Sequence, residues 1–69
     1  MKLSARNVLK GKIVSVEKGS TTAHVKIEIA SGQVVTSAIT NESVDALGLK
    51  VGGDAYAVIK SSDVILAVD

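Results

Sequence analysis

The sequence is 69 residues long, 46% hydrophobic and free of cysteine and proline, with a net charge of +1 from eight basic and seven acidic side chains. That length suits one domain over residues 1–69, and a chain this small hides only ~60% of its unfolded surface as a monomer. Without cysteine, disulfides and thiolate metal sites are excluded; with His24 as the sole histidine, a His-rich site within one chain is excluded too, leaving oligomerisation as the route to stability.

The charge balance leaves no basic patch, and Tyr56 is the only aromatic residue. A nucleic-acid binder built on phosphate contacts and stacking platforms is therefore a poor fit. No stretch is long and apolar enough to span a bilayer. The start, Met1-Lys2-Leu3-Ser4-Ala5-Arg6-Asn7, lacks the apolar centre of a signal peptide, so the expected location is cytoplasmic.

In chain order, Val8 to Lys18 alternates imperfectly around Ile13, Val14 and Val16 and reads as a strand. Gly19-Ser20 supplies a turn. Ala23, Val25, Ile27 and Ile29 then alternate with His24, Lys26 and Glu28, the clearest period-two pattern in the sequence. Ser31-Gly32 turns the chain into a third strand from Gln33 to Thr40. Thr40 or Asn41 can cap a short helix to Leu47, with Gly48 suited to its end. After a turn at Gly52-Gly53-Asp54, Ala55 to Ile59 and Val64 to Val68 are nearly continuous apolar runs separated by Lys60-Ser61-Ser62-Asp63. Such runs predict strands covered on both faces, with another subunit as the second cover. The expected fold is all-β: a five-stranded barrel of the oligonucleotide/oligosaccharide-binding type with one short helix between strands three and four.

Three segments carry a resemblance. They are Ser4-Ala5-Arg6-Asn7 with Val8-Leu9-Lys10-Gly11; Ala38-Ile39-Thr40-Asn41-Glu42-Ser43 with Leu47-Gly48-Leu49; and Tyr56-Ala57-Val58-Ile59-Lys60-Ser61-Ser62-Asp63-Val64. In order and spacing they resemble the molybdate/tungstate-binding domain of the molbindins, or molybdenum-pterin-binding proteins, from Leu3 to Val68. The resemblance implies a five-stranded barrel, a homohexamer, and sites for molybdate or tungstate at subunit interfaces, serving intracellular storage or buffering. It implies no covalently bound cofactor and no direct protein–metal ligand, since the metal is held as its oxyanion.

A tetrahedral dianion needs convergent donors and positive charge. By the resemblance these come from Arg6 and Lys60, the Ser4 hydroxyl, the backbone N–H groups of Ala5 and Ser61, and Thr40 and Ser43 reaching in from a neighbouring subunit. Read alone, Arg6 is as well a solvated N-terminal residue, Lys60 is a solvated lysine at a strand end, and Thr40 and Ser43 belong to ordinary helix capping. The family also has a second class of site near symmetry axes, for which Thr21, Thr22, His24 and Lys26 are candidates. Their alternation reads more simply as a solvated face. Sulfate would suit the same donors, and a purely structural oligomerisation module is the plainest alternative. A pterin would want aromatic or amide neighbours, and only Tyr56, Asn7, Gln33 and Asn41 are on offer. No enzyme is expected, because no base stands placed beside a nucleophilic Ser or Thr.

Overall fold

A computed structural model describes all residues, 1–69. Strands β1 (Asn7–Lys18), β2 (Thr22–Ile29) and β3 (Val34–Thr40) are followed by helix α1 (Asn41–Leu47), strand β4 (Asp54–Ile59) and a single 3-10 turn over Ser61–Asp63. The strands form one antiparallel sheet in the order β3-β2-β1-β4. Its organiser is β1, whose first half pairs with β4 and whose second half pairs with β2. That division of one long strand between two partners curls the sheet.

Alternation in β2 places the core. Ala23, Val25 and Ile27 are buried, while Thr22, His24, Lys26 and Glu28 face solvent. Ile13 of β1 and Val44 of α1 complete the buried set, with Val16, Ile39, Leu49, Ala55 and Ala57 packed against it. The imperfect alternation of β1 has a local cause. Between Ile13, opposite Ile27, and Ser15, opposite Lys26, the register slips by one residue. This bulge leaves Val14 exposed and shifts the inward positions from Leu9, Gly11 and Ile13 to Val16. Where β1 bends, Gly11 is required: a Cβ there would fall on the Ile27 side chain and the Glu28 carbonyl.

Helix α1 forms where its caps predict. Thr40 accepts the Ser43 N–H at 3.0 Å, and Gly48 ends the helix in the left-handed region at φ 65°. Val44 is its buried residue, and Lys18 at the end of β1 pairs with Asp45 at 2.6 Å, tying the helix to that end of the strand.

One expectation needs correction. The fifth strand expected over Val64–Val68 is not formed. The chain leaves the 3-10 turn in an extended conformation at Val64, but the segment pairs with nothing, and Ile65, Leu66 and Val68 are 91%, 88% and 97% exposed. A single copy is thus a curled, open sheet of four strands rather than a five-stranded barrel. The reason is that an apolar, β-branched segment specifies the strand conformation, whereas pairing depends on which edge it reaches. In a single copy β4 is covered on one face: Ala55, Ala57 and Ile59 turn inward while Tyr56 and Val58 stay exposed, on the face where another subunit is expected.

Candidate oxyanion site

The ladder between β1 and β4 brings one group of candidate residues together. Its last pair is Asn7 with Ile59, so Arg6 and Lys60 are the next positions out, one on each chain segment. The Asn7 side-chain amide fixes this junction by donating to the Ile59 carbonyl at 3.2 Å. Both cations are exposed, and neither has a carboxylate partner, unlike Lys12 and Lys18, which pair with Asp54 and Asp45. Ser4 and Ala5 lead into this point, and Ser61 leads away from it. The 3-10 turn uses the Asp63 and Val64 N–H groups, on the Lys60 and Ser61 carbonyls, and leaves the Ser61 N–H free, as a first-turn donor is. Ser4, Ala5, Arg6, Lys60 and Ser61 therefore share one end of the sheet. The pinning role of Asn7 has no signal in the sequence beyond an amide at a strand start.

Thr40 and Ser43 lie elsewhere. Thr40 pairs with Thr22 at the beginning of β2, beside the end of β1, where Lys18 faces Ala23. The two groups stand at opposite ends of β1, a strand of 12 residues. One chain does not assemble the whole donor set. Within its own group, Thr40 does what its capping role predicts: its hydroxyl donates to Ser43 Oγ at 2.8 Å while accepting the Ser43 N–H. This leaves the Ser43 hydroxyl hydrogen free to point outward. With only 7 residues, α1 has little dipole to offer an anion. Glu42 is exposed and makes no ion pair.

Thr22, His24 and Lys26 form an outward stripe on β2 and Thr21 sits in the turn before it. Across the ladders they face Glu17 and Ser15 on β1 and Thr40, Ala38 and Thr36 on β3. The stripe is open to solvent, without convergence in a single copy. No group of three His, Cys, Asp or Glu side chains is gathered anywhere to ligate a metal directly.

The Asp54 carboxyl is perturbed. A hydrogen bond from Lys12, at 2.8 Å, and that ammonium's charge hold it below the usual carboxylate range. This pair sits at the far end of β4 from Lys60 and takes no part in the anion group.

Comparison with known proteins gives the chain a family. Residues 3–66 match the TOBE domain. Over 66 residues the chain is 54% identical to molybdenum-pterin-binding protein 3 of Clostridium pasteurianum, covering 96% of this chain and 97% of that one. The chain belongs to the molybdenum-pterin-binding (molbindin) family. Solved structures of molbindin type agree with it closely. MopII from Clostridium pasteurianum, in an apo form, superposes with a TM-score of 0.91 at 49% identity, over 97% of this chain and 100% of that one. The cytoplasmic molybdate-binding protein ModG, with molybdate bound, superposes with a TM-score of 0.96 at 46% identity. All of this molbindin chain is matched there, against 49% of ModG, so it spans about half of that protein.

Proposed function

We propose that this molbindin binds molybdate or tungstate at interfaces between copies of itself and serves to store or buffer molybdenum in the cytoplasm, without catalysing a reaction. The observation that carries the proposal is the placement of two carboxylate-free cations, Arg6 and Lys60, at one end of β1 and two hydroxyls, Thr40 and Ser43, at the other. The guanidinium fork suits an oxyanion with several acceptor oxygens, and the lysine supplies the second positive charge. Ser4, the N–H groups of Ala5 and Ser61, and the hydroxyls of a neighbouring copy complete the donor set. ModG, which holds molybdate, supports the choice of anion.

Self-association has its own support. Five residues are buried, against thirteen large hydrophobic residues left exposed. Among these Val8 and Val58 face each other across β1 and β4 on the outer face, with Tyr56 adjacent. A homohexamer is the assembly proposed, with a closed five-stranded barrel in each copy, each chain contributing a single domain over residues 1–69. The ligand is the free oxyanion rather than a pterin complex, since Tyr56 and Asn7 lie apart from each other on β4 and β1 and no aromatic neighbours the cations.

Titration calorimetry tests the reading. Wild-type protein binds molybdate in the presence of sulfate, and the double variant Arg6→Ala with Lys60→Ala loses that response while keeping its fold. A double variant that binds as before leaves only an assembly module.

A further inference from the structure

We propose that Asn41 is a positioning residue of the anion site, holding the Thr40 and Ser43 hydroxyls in place by clamping the start of α1 to the turn between β1 and β2. The inference rests on the oxyanion reading proposed above and adds to it a side chain that does not itself touch the anion.

Asn41 stands between the two hydroxyl-bearing residues and is the first residue of α1. Thr40 already caps that helix by accepting the Ser43 N–H at 3.0 Å, so the Asn41 side chain is not needed as a cap. Asparagine is also a poor helix former, because its amide competes for nearby backbone groups. Both of its donors leave the helix. The backbone N–H donates to the Thr21 carbonyl at 2.8 Å, and the side-chain amide donates to the Gly19 carbonyl at 2.9 Å. The turn they grip is itself closed, by the Gly19 N–H on the Thr22 carbonyl at 2.8 Å. Thr22 pairs with Thr40 across β2 and β3, so this ring of contacts returns to the hydroxyls.

The other half of the amide argues against a purely stabilising role. Asn41 Oδ1 is buried without a partner, and a buried acceptor left unpaired costs stability. Gly19 is exposed, so water can replace the bond to its carbonyl when the amide is gone. Asn41→Ala therefore gives up one hydrogen bond and relieves one orphaned acceptor, leaving the folded state near its original stability. What water does not restore is the fixed spacing between turn and helix start. Thr40 Oγ1 and Ser43 Oγ are 2.8 Å apart, and their free hydroxyl hydrogen is aimed only as well as the backbone that carries it. The ion pair of Lys18 with Asp45 ties the same helix to β1. It attaches beyond the two hydroxyls, which makes Asp45→Asn a control for loosening of the helix as a whole.

Molybdate titrations in excess sulfate are followed by calorimetry on wild type, Asn41→Ala, Ser43→Ala, their double variant and Asp45→Asn, with thermal denaturation of each in the absence of molybdate. The expected result is an affinity about tenfold weaker for Asn41→Ala, as for other supporting hydrogen bonds, with a thermal midpoint close to wild type. In the Ser43→Ala background the same change should cost less than about twofold, because residues acting through one another are not additive. Asp45→Asn should bind as wild type does. Should Asn41→Ala not fold, Asn41→Gln, which displaces the amide by one methylene, takes its place in the same cycle. Wild-type affinity in the Asn41 variant overturns the inference, as does an undiminished loss in the Ser43→Ala background or an equal loss in Asp45→Asn. A wild-type protein that ignores molybdate removes the oxyanion reading and this inference with it, whereas the other outcomes remove Asn41 alone.

Discussion

Arg6 and Lys60 differ from the other basic side chains that the structure engages. Lys12 and Lys18 are neutralised by Asp54 and Asp45, while Arg6 and Lys60 flank a backbone junction that Asn7 pins. Charge-assisted hydrogen bonds are worth ~1.5–3 kcal/mol each. Arg6→Ala is therefore expected to weaken molybdate binding by about tenfold to a hundredfold, and Arg6→Lys by less, because a lysine keeps the charge without the fork. Calorimetry showing an unchanged affinity for Arg6→Ala contradicts the assignment. Asp54 makes a separate prediction. Its carboxyl is lowered by Lys12, so the pair's contribution is present at neutral pH and disappears as pH falls through the lowered value. A carboxyl-detected NMR titration should find the Asp54 midpoint below that of an unstructured aspartate, and Lys12→Ala should raise it. The role proposed for Arg6 and Lys60 rests in the sequence on their motifs alone; a lone arginine before a strand carries no such information.

At the scale of elements, β2 and α1 were readable because each rule agreed with the next. Strict alternation put Ala23, Val25 and Ile27 in the core, and Thr40 with Gly48 bounded the helix. The irregularity of β1 was visible as broken alternation, but its cause was not. A one-residue bulge next to Val14 is a matter of pairing register, which depends on a partner strand. Gly11 carries a prediction of that kind. Gly11→Ala forces a methyl onto the Ile27 side chain and the Glu28 carbonyl and should cost about 1–3 kcal/mol, seen as a lowered midpoint in thermal denaturation. Thr40 separates capping from anion binding. Thr40→Asp retains a strong helix cap but sets a negative charge where the dianion is proposed to lie. The variant should keep its unfolding free energy within about 1 kcal/mol of wild type in thermal denaturation and lose its molybdate response. A variant that still binds removes Thr40 from the site.

At the scale of the molecule, what a single copy leaves unmade matters most. Its cations and hydroxyls lie at opposite ends of β1, its sheet has two open edges, and its last apolar segment is in water. The sequence makes Val64–Val68 strand-like, yet no property of those side chains says which edge they join. That is why the five-stranded expectation failed for an isolated chain. Leu66→Asp should accordingly shift the oligomer toward smaller species in sedimentation, since a carboxylate in an apolar interface is costly to desolvate. An unchanged oligomer would place that side chain outside any interface. Native mass spectrometry of the full-length protein with low molybdate and excess sulfate bears most directly on the central claim. A multimer that gains discrete molybdate masses, and loses them in Arg6→Ala with Lys60→Ala, is the predicted result; a bare monomer, or a multimer carrying sulfate alone, contradicts it.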